Sequence, residues 1–329
     1  MNYLDHYAGM TVVVTGAEGF IGSTLVDELL SAGARVRALV HYKPYAERGF
    51  LAPYADDDRV EIVAGDVRDP GLVDSVVAGS SIVFHLAALI GIPYSYVAPD
   101  SYVQTNVVGT HNVLTACRRH GARLVHTSTS EVYGSARVAP ISEEHVLQPQ
   151  SPYSASKIAA DALVLSYWHS FETPVAICRP FNTYGPRQST RAVIPAILSQ
   201  LRAGAEEIRL GSLSPTRDFT FSTDTARGFL AVGASDAALG RAINLGTGTE
   251  VSIGDLAARL ITASGSDARI VADDTRVRPK GSEVDRLLSD NALARELCGW
   301  EPLVGLDEGL ERTWEWTTGR PPVSGAYAV

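Results

Sequence analysis

The sequence predicts an α/β fold in which a doubly wound parallel sheet is followed by a smaller C-terminal α/β lobe. Short apolar runs alternate with segments of helical spacing through residues 10–180. A glycine-rich turn directly follows the first apolar run, and the alternation becomes less regular after residue 180. Strands that alternate with helices in this way form parallel sheets with helices on both faces.

The individual elements follow in chain order from apolar runs and from helical spacing. In the first part we predict strands over 10–15, 36–40, 60–64, 82–86, 124–128 and 175–179, and helices over 21–30, 101–119 and 151–171. In the second part we predict short strands over 208–210 and 242–245, and helices over 191–203, 222–231, 253–263 and 290–297.

The composition excludes several classes of protein. The chain has 329 residues, of which 45% are hydrophobic and 20% charged, as in an ordinary globular protein. A net charge of −9 argues against general nucleic-acid binding, which requires a basic surface. The longest apolar run, over 82–93, is too short to span a membrane, and no N-terminal signal is visible. Cys117, Cys178 and Cys298 form no C-x-x-C pair, so we expect reduced core residues in a cytoplasmic protein.

The turn after the first strand has the pattern of a phosphate-binding loop. Gly16, Gly19 and Gly22 follow G-x-x-G-x-x-G spacing between a predicted strand and a predicted helix. Gly16 permits the tight turn, Gly19 lets the backbone approach a pyrophosphate, and Gly22 lets the helix pack on the sheet. The helix N-terminus then faces the anion, so we expect a Rossmann-type unit that binds a dinucleotide.

The end of the second strand leaves the choice of dinucleotide open. Val40 and His41 stand where an acid usually holds the adenosine ribose. We expect NAD, but NADP is not excluded, because Lys43 could meet a 2′-phosphate or be a solvated loop lysine. Asp66, after the third strand, could contact the adenine or only stabilise a turn.

Tyr153 and Lys157 form a candidate catalytic pair. They are four residues apart and therefore share one face of a helix, for which Ser151 suits the N-cap and Pro152 the first position. Because an ammonium beside a phenol favours the phenolate, we expect a pKa of Tyr153 lowered toward neutrality. Such a phenolate can take a proton from an alcohol while a nicotinamide accepts the hydride.

These motifs in this order resemble those of the extended short-chain dehydrogenase/reductases that act on nucleotide sugars. The resemblance covers nearly the whole chain and is carried by Thr15–Gly22, Asp66, His85–Ala88, Asn106, Thr127–Gly134, Tyr153–Lys157, Arg179–Pro186 and Arg217–Phe219. It implies an NAD-dependent enzyme that forms a homodimer by pairing helices 101–119 and 151–171. A non-catalytic dinucleotide-binding module is the distant alternative, because the tyrosine and the lysine are both present.

The resemblance also implies a domain organisation and a cofactor site. We expect a Rossmann domain over 1–180 that carries the catalytic pair, a mainly nucleotide-sugar-binding lobe over 181–320 with some segments returning to the first domain, and a tail over 321–329. The expected cofactor residues are Gly16, Gly19, Phe20, Ile21, Gly22, His41, Asp66, Val67, Leu86, Ala87, Ala88, Asn106, Thr127, Tyr153, Lys157 and Pro180. His85 is expected to be a buried strand-end residue, and the histidines do not cluster with carboxylates at metal-ligand spacing.

Thr129, Ser130 and Glu131 distinguish the reactions of this family. By resemblance, Tyr153 deprotonates O4 of the sugar, Thr129 hydrogen-bonds the same hydroxyl, and hydride passes from C4 to the cofactor. The resulting 4-ketone acidifies C5–H, which Glu131 could remove so that the 6-hydroxyl leaves and hydride returns to C6. This is 4,6-dehydratase chemistry, whereas a 4-epimerase needs no such base. The alternative is that Glu131 only makes hydrogen bonds.

Ser130 keeps other reactions open. The dTDP-glucose 4,6-dehydratases carry an aspartate here as the acid, and a serine is a poor acid. UDP-glucuronate decarboxylases also show a serine–glutamate pair. Segments 88–96, 148–153 and 211–219 resemble those of legionaminic-acid-type 4,6-dehydratases, which act on an N-acetylglucosamine nucleotide. We therefore expect a nucleotide-sugar 4,6-dehydratase, with UDP-glucuronate decarboxylation and 4-epimerisation as alternatives.

A nucleotide sugar carries two negative charges on its pyrophosphate, and arginine forks match phosphate oxygens in pairs. By resemblance, the expected substrate contacts are Tyr94, Ser95, Asn182, Arg187, Arg191, Arg217, Asn244 and Arg278. Arg217 is the firmest of them because it opens the R-D-F motif of the family.

Overall fold

The computed structural model describes residues 3–42, 49–273 and 284–320. Its strands are β1 (Thr11–Thr15), β2 (Arg35–His41), β3 (Val60–Gly65), β4 (Ile82–His85), β5 (Arg123–Thr127), β6 (Val175–Pro180), β7 (Asn182–Tyr184), β8 (Glu207–Leu210), β9 (Thr216–Arg217), β10 (Phe219–Phe221), β11 (Ala242–Leu245), β12 (Val251–Ser252), β13 (Arg269–Ala272) and β14 (Arg286–Leu287).

The helices lie between these strands. They are α1 (Phe20–Ser31), α2 (Pro70–Val77), α3 (Ile92–Val97), α4 (Pro99–Tyr102), α5 (Gly109–His120), α6 (Pro152–Phe171), α7 (Val193–Arg202), α8 (Ser222–Ala234), α9 (Ile253–Ser264), α10 (Ala292–Cys298) and α11 (Leu306–Thr318), with a π-helical segment over Val103–Val108 between α4 and α5. Within the described residues, no helix has the length and apolarity needed to cross a membrane.

The centre of the molecule is a seven-stranded parallel sheet in the order β11-β6-β5-β4-β1-β2-β3. Alternate side chains of β1 reach opposite faces of it. Val12 and Val14 belong to a core that includes α1 and α8, whereas Val13 belongs to a core that includes α2, α5 and α6. The predicted fold class, a doubly wound parallel sheet with helices on both faces, is confirmed.

A smaller lobe follows the sixth strand. In it α7, α9 and α11 share a separate apolar core with β8 and β10. Two parallel strand pairs, β7 with β10 and β8 with β13, and a three-stranded sheet of β12, β9 and β14 complete the lobe. The chain leaves this lobe at α8, which packs on α1, and then adds β11 to the edge of the main sheet beside β6.

The predicted elements lie within about three residues of those observed. The elements that were not predicted are the helices α2, α3 and α11 and the strands β7, β9, β10, β12, β13 and β14. For α2 the sequence has a recognisable start signal, because Asp69 caps its first N–H groups and Pro70 begins it. The predicted helix over 101–119 is interrupted by the π-helical segment, which contains Asn106. The predicted tail over 321–329 lies outside the described residues.

Candidate active site

The carboxyl ends of the parallel strands form one edge of the sheet, where open α/β folds bind ligands. Most of the expected cofactor residues lie along this edge. Gly16–Gly22 follow β1, His41 ends β2, Asp66 and Val67 follow β3, Leu86–Ala88 follow β4, Thr127 ends β5 and Pro180 ends β6. The topology therefore brings these segments of the sequence to one site.

The glycine loop leaves only backbone atoms at the start of α1. Gly16 has a φ of +68°, and a Cβ at this position would lie 2.9 Å from the Ala87 nitrogen. A Cβ on Gly22 would lie 2.2 Å from the Gly16 carbonyl oxygen. Gly19 is the N-cap and has no side chain with which to occupy the first N–H groups of the helix. This exposed helix N-terminus fits a pyrophosphate, so the loop suits a dinucleotide.

Two carboxylates lie where the adenosine of a dinucleotide is expected. The His41 N–H donates to Glu18 Oε1 at 3.3 Å, which places an acid of the glycine loop at the end of β2. Sequence reasoning did not assign Glu18 to the cofactor site. Asp66 is bound by Arg68 (Nη2–Oδ2 2.6 Å), which lowers the pKa of the carboxyl. Lys43 lies outside the described residues.

The side chains of Asn106 and Val67 make contacts within the protein. The Asn106 side chain accepts from the Leu89 N–H at 2.9 Å and donates to the Leu89 carbonyl (3.0 Å) and to Ser156 Oγ (2.9 Å). Val67 is buried and packs on Gly109, where a Cβ would lie 2.8 Å from it. Both ends of the Asn106 amide therefore hold the loop after β4, and its nitrogen also contacts α6.

Helix α6 presents the catalytic pair. It begins as predicted, with Pro152 in the first turn and a capping box between Ser151 and Ser154. Tyr153 is 7% exposed, and its hydroxyl is hydrogen-bonded to the Thr129 hydroxyl. Lys157, one turn later, is 3% exposed and donates from Nζ to the Thr127 carbonyl at 2.8 Å.

The predicted lowering of the pKa of Tyr153 is wrong for this structure. Burial raises this pKa well above its usual value; the hydrogen bond from Thr129 opposes the rise, and the charge of Glu131 adds to it. The Lys157 ammonium is bound to a carbonyl, and burial lowers the pKa of Lys157 to about 8, while Asp161 opposes that shift. Desolvation of both side chains outweighs the attraction on which the prediction was based.

A buried ion pair lies behind Lys157. Asp161, one further turn along α6, accepts from Arg179 Nη2 at 3.0 Å and from Ser128 Oγ at 2.9 Å. Arg179 Nη1 also donates to the Tyr133 hydroxyl at 2.9 Å. Two cations and one carboxylate therefore share a water-poor region beneath the catalytic tyrosine. The sequence marked Arg179 as part of a motif but did not reveal this partner.

The residues expected to distinguish the reactions lie beside Tyr153. Thr129 Oγ1 accepts from the Glu131 N–H at 3.2 Å and thereby caps the short 3₁₀ turn Ser130–Tyr133. Ser130 is buried, whereas Glu131 is partly exposed. Because the charge of Glu131 raises the pKa of Tyr153, its carboxylate lies within electrostatic range of the phenol. Thr129 thus contacts both Tyr153 and the main chain of Glu131, so the turn that contains Glu131 begins next to the candidate catalytic tyrosine.

Aromatic side chains form the wall on the other side of Tyr153. The Tyr102 ring lies 6.2 Å from that of Tyr153, and Tyr94 lies 6.2 Å from Tyr102. A Cβ on Gly91 would lie 3.9 Å from the Arg191 guanidinium and 3.6 Å from the Tyr102 hydroxyl. The expected substrate residues Tyr94 and Arg191 therefore lie near the catalytic tyrosine, and Tyr102 was missed by sequence reasoning.

Two further expected substrate residues remain compatible with that role. Asn182 Oδ1 is buried and has no hydrogen-bond partner among the described residues, as a group awaiting a polar ligand would be. Arg217 is buried in β9, where its Nη1 donates to the Thr216 carbonyl at 2.9 Å. Arg278 lies outside the described residues.

Three further expected substrate residues make contacts within the protein. Ser95 is buried and donates to the Ile92 carbonyl at 2.6 Å. Arg187 forms an ion pair with Asp27 of α1 through Nη2 at 2.8 Å, while its Nη1 is buried and has no hydrogen-bond partner among the described residues.

Asn244 is the third of these expected substrate residues. It is fully buried, accepts from the Tyr133 hydroxyl at 2.7 Å and donates to the Ile141 carbonyl at 3.0 Å. Such long-range partners leave no signal in the local sequence.

The comparisons with known proteins agree with this geometry. The family described as GDP-mannose 4,6 dehydratase matches residues 13–313. A dTDP-glucose 4,6-dehydratase of Streptomyces antibioticus is 36% identical over 314 residues, which are 93% of this chain and 92% of that protein. A UDP-glucose 4-epimerase of Mycolicibacterium smegmatis is also 36% identical, over 93% of this chain and 98% of that protein.

Among solved structures, the dTDP-glucose 4,6-dehydratase DesIV of Streptomyces venezuelae, with NAD bound, is similar to this chain. It has a TM-score of 0.86 and 32% identity, and the match covers 94% of this chain and 97% of that one. The predicted family is confirmed: the chain belongs to the GDP-mannose 4,6-dehydratase family of NAD-dependent epimerases and dehydratases, among the extended short-chain dehydrogenase/reductases.

Proposed function

We propose that this protein is an NAD-dependent nucleotide-sugar 4,6-dehydratase, which converts an NDP-hexose or NDP-N-acetylhexosamine to its 4-keto-6-deoxy form. The observation that carries this proposal is the place of Glu131 in the short turn that Thr129 caps, because the Thr129 hydroxyl is also hydrogen-bonded to Tyr153. Dehydration needs a base that removes the proton from C5, whereas inversion at C4 does not. The relatives from S. antibioticus and S. venezuelae bear the name of such an enzyme.

The first step is the removal of the O4 proton by Tyr153. Since burial holds the pKa of this phenol high, the phenolate requires stabilisation from its surroundings. Thr129 provides it by a hydrogen bond, and the buried ammonium of Lys157 provides it by charge. Bound NAD⁺ supplies a nearby positive charge and the hydride acceptor, and in its reduced form the hydride donor.

The second step is elimination of the 6-hydroxyl. Glu131 removes the C5 proton, and because Ser130 is a poor acid, Glu131 is also the group that returns a proton to the departing oxygen. The proton from C5 leaves in water with the 6-oxygen. As C6 then accepts the hydride that C4 had lost, the proton that Tyr153 took from O4 is returned to C5. Tyr153 and Glu131 thus end each turnover in their starting states.

A second candidate is 4-epimerisation of a nucleotide sugar. Ser130 in place of an acidic residue favours it, as does the equal identity to the UDP-glucose 4-epimerase of M. smegmatis. An epimerase would use Tyr153, Thr129 and Lys157 in the same way and would leave Glu131 without a chemical role. The two candidates therefore differ in what they predict for Glu131.

Substitution of Glu131 tests the proposal. In Glu131→Gln we expect reduction of bound NAD⁺ by substrate to persist, followed at 340 nm, while release of 6-deoxy product falls about 10²-fold or more. Glu144→Gln, at an exposed glutamate, is the control and should retain both steps. Undiminished product formation in Glu131→Gln would contradict its role as the base, and unaltered turnover in Tyr153→Phe would contradict the whole scheme.

We also propose a homodimer in which α5 and α6 pair with those of a second copy, and a cytoplasmic location. The two helices pack side by side, and exposed apolar side chains lie on or next to them at Val103, Val108 and Phe171. Light scattering of Val108→Glu should show monomers, and a monomeric unsubstituted protein would contradict the dimer.

The cytoplasmic location is supported by the three cysteines, which are buried free thiols, as expected in a reducing compartment.

A further inference from the structure

The side chain of His85 joins two parts of the cofactor site that are distant in sequence. His85 ends β4 and is 2% exposed. Its Nδ1 lies 2.8 Å from Thr15 Oγ1 at the end of β1, and its Nε2 lies 3.1 Å from Thr110 Oγ1 in α5. The imidazole therefore bridges the strand that enters the glycine loop and a helix on one face of the sheet.

The hydrogen bonds of the two threonines determine where the imidazole carries its proton. Thr15 Oγ1 accepts from the Ala87 N–H at 3.0 Å and shares the Leu86 N–H (3.1 Å) with the main-chain carbonyl of Thr15 (3.2 Å), so its own proton is left for Nδ1. Thr110 donates to the Asn106 carbonyl at 2.6 Å, so it can only accept from Nε2. Two separate neighbours thus require the same neutral tautomer, with the proton on Nε2.

The same network holds both ends of the loop after β4. The first two N–H groups of this loop are bound to Thr15, and Leu89 exchanges two hydrogen bonds with the Asn106 side chain. The glycine loop packs closely on it, because a Cβ on Gly16 would lie 2.9 Å from the Ala87 nitrogen. A displaced Thr15 would therefore disturb both loops that line the dinucleotide site.

We propose that His85 is a positioning residue for NAD that acts through Thr15: its unprotonated Nδ1 orients the Thr15 hydroxyl so that this hydroxyl holds the loop after β4 against the glycine loop. The inference rests on the proposed function, because it concerns the cofactor of that reaction. Burial lowers the pKa of His85 to about 3, so the imidazole stays neutral at any working pH. His85 takes no part in the proton transfers at Tyr153.

Two substitutions separate the two hydrogen bonds of His85. The side-chain amide of asparagine reaches the place of Nδ1, and that of glutamine reaches the place of Nε2. His85→Asn therefore keeps an acceptor for Thr15, whereas His85→Gln keeps a donor for Thr110 and loses that acceptor. We expect the dissociation constant for NAD⁺, measured by calorimetry, to rise about tenfold in His85→Gln and less than about threefold in His85→Asn.

Substitution of Thr15 gives a test that does not require a folded His85 variant. Thr15→Val removes the hydroxyl at nearly constant volume and should raise the NAD⁺ dissociation constant about tenfold, whereas Thr15→Ser should keep it within about threefold. Combining Thr15→Val with His85→Gln should cause no further rise, because both substitutions break one interaction.

The outcomes distinguish this inference from the proposed function. An unsubstituted protein that binds no NAD⁺ contradicts the proposed function. If it binds NAD⁺ but the two His85 variants bind it equally, or if the effects of His85→Gln and Thr15→Val add, the positioning role is contradicted. Thermal unfolding without NAD⁺ identifies a general loss of stability, which would weaken both His85 variants alike and would not produce the expected order of affinities.

Discussion

At the scale of single residues, buried charged groups influence the ionisation of Lys157 in the candidate catalytic pair. Lys157 and Arg179 are cations with almost no exposure, and Asp161 is the carboxylate between them. Desolvation favours the neutral form of Lys157, and the charge of Asp161 favours the charged form. The ionisation of Lys157 therefore depends first on its burial and then, in the opposite direction, on Asp161, a residue that the local sequence pattern does not connect with catalysis.

This arrangement predicts how the activity changes with pH on the alkaline side of the pH profile. Lys157 is charged below its pKa of about 8 and neutral above it, so activity that needs the ammonium should fall as pH rises through about 8. The other titratable groups near Lys157 are Tyr153, Asp161, His85 and His126, and the pKa values of both histidines are lowered by burial.

Asp161→Asn removes the charge that raises the pKa of Lys157, so the alkaline limb should move to lower pH. The measurement is kcat against pH for this variant and for Asp56→Asn, a control at an exposed aspartate. An unshifted limb in Asp161→Asn would contradict the electrostatic role of Asp161. Loss of folding is checked separately by urea unfolding, because removing one partner of a buried ion pair costs about 3–5 kcal/mol.

The position of Glu18 predicts that the protein binds NAD in preference to NADP. Its carboxylate lies at the end of β2, where the 2′-phosphate of NADP would meet a like charge. In Glu18→Gln we expect the affinity for NADP⁺ relative to NAD⁺ to rise about tenfold, measured as the ratio of dissociation constants. Glu301→Gln, at an exposed glutamate, should leave the ratio unchanged. The same ratio in Glu18→Gln as in the unsubstituted protein would show that Glu18 does not select the cofactor.

At the scale of elements, the close packing of α1 on the glycine loop builds the phosphate site. Gly22 lies in the first turn of α1, directly over the Gly16 carbonyl. A Cβ at this position would meet main-chain atoms of Gly16 and Ala17, which cannot give way by a rotamer change. The position of the helix N-terminus therefore depends on the absence of one Cβ.

Gly22→Ala should displace α1, because its Cβ would lie 2.2 Å from the Gly16 oxygen. We expect about 1–3 kcal/mol less stability, measured by urea unfolding, and an NAD⁺ affinity lowered about tenfold or more. The control is Gly305→Ala, since a Cβ at Gly305 has no neighbour within 4 Å. Equal NAD⁺ affinities in the two variants would contradict the role of this packing.

Elements and motifs were predictable where their signal is local. Apolar runs predicted the strands of the main sheet, and the glycine spacing and the Y-x-x-x-K pattern predicted the cofactor loop and the catalytic helix. The partners of Asn106, Arg187 and Asn244 were not predictable, because each lies on an element that is distant in sequence. The pKa of Tyr153 was predicted with the wrong sign, because its burial depends on Tyr102 and the rest of the tertiary structure.

At the scale of the whole molecule, the sheet and the smaller lobe together define an enzyme that handles a nucleotide sugar. The sheet edge carries the expected cofactor loops and the candidate catalytic pair, and the lobe carries the candidate substrate residues Asn182, Arg191 and Arg217. The return of α8 and β11 to the main sheet attaches the lobe by more than one crossing of the chain. The proposed reaction removes hydride from C4, eliminates water and returns hydride to C6. Such a sequence of steps on one bound sugar requires a stable geometry between the sheet and the lobe.

The most direct test is the product formed from a panel of UDP-, GDP-, dTDP- and CDP-sugars with NAD⁺, analysed by mass spectrometry. We predict that at least one NDP-hexose or NDP-N-acetylhexosamine loses one molecule of water, and that Glu131→Gln abolishes this loss. Loss of carbon dioxide from an NDP-uronate, or a product of unchanged mass in which NMR shows inversion at C4, with no dehydrated product from any sugar, would contradict the assignment as a 4,6-dehydratase.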